Sequence, residues 1–504
     1  MNAPAPTVGM DAGPDRAARF RNLAAAFAVL AMAAGGCKVG PDHRTPSPFG
    51  TNAMPSRFDG ATNEVAWLPA RSPGPAVAPD WWRGFGDPEI DRLVVLATNA
   101  SPSVSTAIAR VAEARGQASI AGAALWPGAD LGGSVIRQRS SAHAFSPGVG
   151  AGVGRTYTTT TIPLEATWEP DLWGRIRRLR EQAGAAIAVS EAEVGAVRLG
   201  LEAEVAADVV LHRSLSVQLR VLAETTNSLG RALELTRQRR RGGIGTDLEV
   251  SQATAQLEGT AARIPATRLL RTKLEHALAA LCGSAANGFA VAPPPPGGRT
   301  DSIPLPPEIL PSELLERRPD IAAAEKRVEA ANAAIGVARA AFYPRFRIAA
   351  MAGLQSLHGS DVFSAPSRMW SLGPSVDLPL FTGGRLSGQL ASARANHEAA
   401  VGAYRETVIR ALREVEDELA TQRELAAQWT SESAAFAAAR RSREISESRY
   451  RSGLVSYLEV VSAQTVALER ELAVARLDGE RRLAIVALAR ALGGGWQPPA
   501  PAKE

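Results

Sequence analysis

Two long stretches of the chain repeat apolar residues at spacings of three and four. Leu215, Leu219, Leu222, Thr226, Leu229, Leu233 and Thr236 step four, three, four, three along the first. Leu386, Leu390, Ala393, His397, Ala400, Tyr404, Val408, Leu412, Val415 and Leu419 keep the same kind of spacing along the second. Such a stripe predicts helices that pack seam to seam, as in a coiled coil. No proline interrupts residues 174–240 or 385–450. At ~1.5 Å of rise per residue, each predicts one helix about 100 Å long. A globular core has no use for that length, whereas a conduit across a periplasm does.

Between these stretches the period changes from three and four to two. Ile162, Leu164, Ala166 and Trp168 alternate with Thr161, Glu165, Thr167 and Glu169. Leu131, Gly133 and Val135 alternate with Asp130, Gly132 and Ser134. Phe346, Ile348, Ala350 and Ala352 alternate with Arg345 and Arg347, and Trp370, Leu372, Val376, Leu378 and Leu380 with Ser371, Ser375 and Asp377. An apolar face backed by a polar one is the pattern of a transmembrane β-barrel strand. One such segment reads equally as a half-buried soluble strand; four in order carry more weight. Glu165, Glu169 and Asp377 fall on the polar, lumen-facing side. Trp126, Trp168, Tyr343 and Trp370 sit where either a membrane interface or a packed core would use them. A chain with four strands cannot close a barrel, and open edges do not survive in lipid. The barrel is therefore expected to be shared between chains.

The two halves are copies. With a shift of 217 residues, Pro102–Pro127 lies on Pro319–Pro344 with nine identities, among them Arg110/Arg327 and Val111/Val328. With a shift of 210, Gly174-Arg175 lies on Gly384-Arg385, Glu204-Val205 on Glu414-Val415, Gly243 on Gly453, and Leu248-Glu249-Val250 on Leu458-Glu459-Val460. The expected organisation has a first repeat at 88–283: strands 126–170, long helix 174–240, returning helix 246–282. A Pro/Gly-rich linker follows at 284–310. The second repeat covers 311–494: strands 343–382, long helix 385–450, returning helix 455–492. A tail occupies 495–504. Gly243 and Gly453 reverse the chain, since glycine tolerates the left-handed backbone such a turn needs. Thr246 and Ser456 are placed to cap the returning helices.

Composition adds a class and removes others. Charged residues make up 21% of the 504 and aromatics 5%, and the net charge of +5 comes from Arg and Glu interspersed along helices. That reads as a solvated helical surface; there is neither a basic stripe nor a nucleic-acid-binding module. The six histidines show no metal-ligand spacing, and no cofactor motif occurs. Thr246 or Ser456 as a nucleophile lacks a histidine at any recognisable spacing. At the N-terminus Arg16, Arg19 and Arg21 precede an apolar run, Leu23–Ala34, then Gly35-Gly36-Cys37. Twelve apolar residues are too few to span a bilayer, which takes about 20. The pattern predicts a signal peptide, 1–36, cleaved before an acylated Cys37. Residues 37–87 then read as an extended tether.

The chain resembles the TolC-like outer-membrane factors, in particular their NodT/OprM-type lipoprotein branch. The resemblance rests on Cys37-Lys38-Val39-Gly40-Pro41-Asp42, Trp81-Trp82 with Asp87-Pro88, Glu316-Arg317-Arg318-Pro319-Asp320, Tyr450-Arg451-Ser452-Gly453 and Leu492-Gly493-Gly494-Gly495-Trp496. It implies an α+β membrane protein: a duplicated unit with four transmembrane strands and long coiled-coil helices per chain. Three copies would share a 12-stranded β-barrel continued by a periplasmic α-barrel. It further implies an efflux channel in the outer membrane that works with a periplasmic adaptor and a proton-driven inner-membrane transporter. The turns around Gly243, Thr246, Leu248, Gly453, Ser456 and Leu458 would meet the adaptor. Glu444 and Glu447, one helical turn apart, would ring the periplasmic entrance as a gate. The competing expectation is that they only pair with Arg440, Arg443 or Arg451. Two other functions share parts of this pattern: a duct exporting proteins or other cargo, and a periplasmic coiled-coil adaptor lipoprotein, which would lack the membrane strands.

Overall fold

A computed structural model describes residues 38–49, 55, 58, 78–141, 154, 156–293 and 311–497. The expected signal peptide at 1–36, Cys37 and residues 294–310 of the expected linker lie outside them. After a short 3-10 turn, Trp81–Phe85, the elements in chain order are α1 (Pro88–Ala100), α2 (Pro102–Ala123), β1 (Gly128–Leu131), β2 (Ser134–Arg139), β3 (Thr156–Trp168), α3 (Arg175–Arg241), α4 (Asp247–Ala261) and α5 (Arg263–Leu281). The second half follows with α6 (Pro311–Arg317), α7 (Pro319–Ala340), β4 (Arg345–Ser356), β5 (Arg368–Asp377), α8 (Arg385–Arg451) and α9 (Tyr457–Ala491).

The duplication is written into the element bounds. Both ends of α2 move onto those of α7 by 217 residues, and both ends of α3 onto those of α8 by 210. α3 and α8 are each 67 residues long without a break. Their predicted seams are the inward faces: Leu215, Leu222, Leu229, Leu233 and Thr236 are buried on α3, and Leu386, Tyr404, Val408, Val415 and Leu419 on α8.

The described residues fall into two compact units. One draws on Met1–Thr45, Glu113–Ile187 and Arg327–Ala400, the other on Pro46–Ala112, Ala188–Lys326 and Val401–Glu504. The first contains the sheet, in the antiparallel order β1/β2-β3-β4-β5. β1 and β2 are one strand in register. Gly128 faces Thr167 and Arg139 faces Thr156, so partner numbers sum to 295 throughout. The strand parts at Gly132-Gly133 opposite Pro163, which has no N–H to give to the ladder. Four strands thus result, with both edges unpaired among the described residues.

Rows across the sheet separate the two faces. Leu131, Leu164, Ala352 and Trp370 are successive partners, and so are Asp130, Glu165, Met351 and Ser371 on the opposite face. The leucines and the tryptophan of the first row are exposed. A bare apolar row beside a polar one suits lipid on one side and water on the other.

The tether expected at 37–87 is not loose where it is described. Val39 N–H donates to Trp173 O at 3.1 Å. The fully buried Arg178 donates to the carbonyls of Val39 (3.3 Å) and Gly40 (3.1 Å), and to the carboxylates of Asp42 (3.1 Å) and Glu181 (2.8 Å). Asn332 Nδ2 donates to Pro41 O at 3.0 Å. Backbone carbonyls taken from water need such donors, and Arg178 supplies several from one side chain.

In the second unit the Trp81–Phe85 turn buries Trp82 and Phe85 among Ile90, Leu93, Val94, Leu201, Val205, Val209, Leu278 and Ile485. Each fully buried Leu or Ile there contributes about 1.5–3 kcal/mol. Helix α1 begins with Asp87, whose carboxylate accepts from Glu89 N–H at 2.9 Å, and Pro88 at its first position. Arg213 donates to the same carboxylate at 2.8 Å. Within the tail expected at 495–504, Trp496 packs on α3, where a Cβ on Gly195 would run into its indole. The first returning helix, expected unbroken, divides at Ala262 into α4 and α5. Pro265 lacks the N–H that would bond to Ala261, and the ladder lapses there. Its counterpart α9 has no proline and runs through.

Candidate functional site

The two helix reversals are the same device made twice. Helix α3 ends with Ile244 N–H on Arg239 O (3.0 Å) and Gly243 N–H on Arg240 O (3.0 Å). Helix α8 ends with Leu454 N–H on Arg449 O (2.9 Å) and Gly453 N–H on Tyr450 O (3.0 Å). This paired pattern is the Schellman motif, which places the residue after the helix in the left-handed region. Gly243 has φ +77° and Gly453 φ +73°.

The restarts differ. Thr246 forms a full capping box: its hydroxyl accepts from Glu249 N–H (3.2 Å), and its own N–H donates to the Glu249 carboxylate (3.0 Å). Ser456 occupies the corresponding position but makes no side-chain cap bond, so the capping expected of it fails. Glu459, the counterpart of Glu249, instead lies 3.7 Å from Arg449 and accepts from Ser446 at 3.5 Å. With its carboxylate engaged there, the reciprocal box does not form.

Beneath the turns Leu233, Ala253, Tyr450, Tyr457 and Val460 form a small core. The tyrosine rings are 5.3 Å apart, and the Arg239 guanidinium lies 4.7 Å from the centre of the Tyr450 ring. Burial pushes the Tyr457 phenol up to about 12, helped by Tyr450 beside it. The basic run Arg239-Arg240-Arg241 is absorbed locally, Arg240 by Asp247 at 2.9 Å and Arg241 by Glu234 at 2.9 Å. Above this core Ile244, Leu248, Leu454 and Leu458 are each at least 60% exposed. Sequence reading found Leu248 and Leu458 but missed Ile244 and Leu454. The signal was present, since each is the apolar residue straight after the reversing glycine. A groove of about 480 Å³ beside the second turn is lined by Ala439, Ser442, Ser446, Ser456, Leu458 and Val466, among others.

Glu444 and Glu447 are not equivalent. Glu444 is exposed, 3.9 Å from Arg440. Glu447 is half-buried, 4.0 Å from both Arg443 and Arg451, and accepts from Gln464 of α9 at 3.0 Å. The arginine pairing weighed from sequence is thus present in the single chain. At the sheet, Glu165 faces Asp130 on the polar side and Asp377 faces Arg345. Glu169 lies one residue beyond β3 and pairs with Arg175 at 2.9 Å, at the start of α3. The aromatic residues divide: Trp126 and Trp370 are exposed, Trp168 donates to Leu125 O (2.9 Å), and Tyr343 packs 4.9 Å from Trp173. Among the described residues no cluster of His, Cys, Asp and Glu could hold a metal ion, and no helix is long and apolar enough to cross a membrane.

A four-stranded sheet with free edges, an apolar face bare of protein and unbroken 67-residue helices together define an outer-membrane duct built from several chains. The chain belongs to the outer membrane efflux protein family, whose pattern matches residues 93–284 and again 310–494. It is 33% identical over 471 residues to outer membrane protein OprJ of Pseudomonas aeruginosa, covering 93% of this chain and 95% of that one. It is 30% identical over 474 residues to the toluene efflux pump outer membrane protein TtgC of Pseudomonas putida, covering 93% and 95%. The solved outer-membrane channel OprN superposes with a TM-score of 0.83 at 30% identity, over 92% of this chain and all of that one. The protein is an outer-membrane efflux channel, with the fold of a shared trimeric β-barrel continued by a helical barrel into the periplasm.

Proposed function

We propose that this channel is the passive exit duct of a tripartite pump. In this reading three copies join a periplasmic adaptor and a proton-driven inner-membrane transporter to pass drugs or other small molecules outward, and no chemistry is done on the cargo. The observation that carries the adaptor contact is the matched pair of apolar turns. Among the described residues the apolar side chains on these Schellman turns stay exposed, and a protein partner would remove them from water. Gly243, Thr246, Leu248, Gly453, Ser456 and Leu458 are the proposed contact. Photocrosslinkers at Thr246 and Ser456 should capture an adaptor in cells. Labelling of the same positions by an impermeant reagent added from outside would place the turns at the cell surface and overturn the reading.

Cys37 is the proposed acylation site. The docked segment that begins at Lys38 supports this, because a fixed segment would hold the acyl chains at one place relative to the strands. Each buried methylene of those chains contributes roughly 0.8 kcal/mol, and stable anchoring takes more than one chain. Cys37→Ser should abolish fatty-acid labelling while leaving channel in the outer membrane; label persisting in the variant would refute the assignment. Glu444 and Glu447 are the proposed gate, with unequal parts: Glu444 as the exposed charge, Glu447 as a tie between α8 and α9.

A further inference from the structure

The two shifts that relate the halves also fix how one copy must meet the next. Partner numbers sum to 295 in the first hairpin and to 722 between β4 and β5. The difference, 427, is the two shifts, 217 and 210, taken together, so both hairpins have one register. The remaining pairing within the chain, β3 on β4, joins the end of the first repeat to the start of the second, with numbers summing to 516. Its counterpart joins the end of the second repeat to the start of a first repeat. Those are the two free edges, so that joint can form only between copies.

We propose that β5 of one copy pairs antiparallel with β1–β2 of the next in the register where residue numbers sum to 509, and that Leu380 and Phe381 of the first cover Trp126 of the second. The value 509 is the β3–β4 sum moved forward by 210 on one strand and back by 217 on the other. It rests on the shared-barrel reading of the channel and deepens it.

Several independent features agree with this register. It keeps the two faces matched, since the apolar positions are even on β5 and odd on β1–β2. Trp370 then faces Arg139, a favourable cation over an aromatic ring. Sliding to a sum of 507 or 511 keeps the faces matched but takes Trp370 off Arg139.

The aromatic part follows from the joint already present. Within the chain the turn into α3 is covered on both sides: Trp173 packs on Tyr343 and donates to Pro344 O at 2.7 Å, and its carbonyl accepts from Val39. The equivalent turn into α8 has Gly383 where Trp173 stands, and Tyr343 and Pro344 correspond to Trp126 and Pro127. That turn is bare: Leu380 is 89% exposed, Phe381 92% and Trp126 76%. The aromatic group has moved two positions, from Trp173 to the equivalent of Asp171, and Phe381 takes over its task across the seam.

Two measurements on the full chain test this. At sum 509 Ser134 faces Ser375, the equivalent of Met351 facing Glu165. Both are Ser→Cys changes of nearly equal size. The Pro163 carbonyl accepts from Gly132 N–H, so odd residues of β3 bond toward β1–β2. Met351–Glu165 is then a non-hydrogen-bonded pair, in which side chains approach most closely. Mild oxidation of S134C/S375C should give covalent ladders between subunits, and S134C/G373C and S134C/D377C should give far less. If a slipped pair links instead, or if none links while unoxidised trimers persist on native gels, the register is overturned. Absence of trimers in every variant would instead count against the shared barrel. In the second measurement, Phe381→Ala and Trp126→Ala should each lower the temperature of trimer dissociation, and the double variant should lower it no further than the larger single effect. Fully additive losses would mean the rings do not touch.

Discussion

A Cβ built on Gly40 would lie 2.6 Å from the Cα of Gly336, so the N-terminal segment rests backbone to backbone on helix α7. The Arg178 side chain fills the rest of the joint, and a Cβ on Gly336 would meet its Cγ, Cδ and Nε at 2.8 Å. Gly336→Ala should therefore lift the segment even though alanine is the better helix former. Limited proteolysis should show cleavage between Lys38 and Phe49 in Gly336→Ala and in Arg178→Ala, with the barrel core intact. Losing the buried guanidinium takes the donor from two carbonyls, those of Val39 and Gly40, at about 1–3 kcal/mol each. Equal protease resistance in variants and parent would refute the joint.

The turns predict an asymmetry between the halves. Removing the Thr246 cap with Thr246→Val should cost about 1 kcal/mol. Ser456→Ala should be nearly neutral, because Ser456 makes no cap bond. Valine at Gly243 or Gly453 should cost more than either, since a β-branched residue is strained at positive φ. Hydrogen exchange of the amides at 247–250 and 457–460 reads each effect locally. A Ser456→Ala effect as large as that of Thr246→Val would contradict the capping geometry.

At the proposed gate the two glutamates should separate in planar bilayers. Glu444→Ala should lower cation selectivity with little change in basal opening. Glu447→Ala should raise basal opening, because it frees Gln464 and loosens α8 from α9. If both variants match the parent in selectivity and opening, these are surface charges and the constriction lies elsewhere.

Stability should fall as pH rises toward neutrality, through half-buried carboxylates along α3. Burial holds the Glu202 carboxyl up at about 7, with Arg198 pulling only partly against it. Burial and the neighbouring Glu204 hold Asp208 up at about 6. From the ordinary carboxylate value of 4.5 up to about 7, the folded chain keeps a proton on Glu202 that the unfolded chain has lost. Folding is therefore progressively penalised across that window. Glu202→Gln should raise the thermal midpoint at pH 8 and leave it nearly unchanged at pH 5. A variant that is equally stabilised at both would show that the proton is not the cause.

The sequence by itself determined the periodic parts of this protein. Seam leucines at heptad spacing and proline-free runs specify α3 and α8, alternation specifies the strands, and two constant shifts specify the duplication, because each is a local pattern repeated many times. Leu131, Leu164 and Trp370 could be assigned to one face on parity alone. Tertiary structure decided what single residues do. Its pairing with Glu181 is local, but nothing local marks Arg178 as the buried anchor of the segment after Cys37, since its partners there, Val39, Gly40 and Asp42, lie far away along the chain. Nor could spacing tell Glu444 from Glu447, which share a helix face by period. Both have arginines beside them on α8, and only the approach of Gln464 ties one of them, Glu447, to a second helix. Periodicity reports which face of an element turns inward. What that face meets depends on where distant segments arrive, and the local pattern does not contain it.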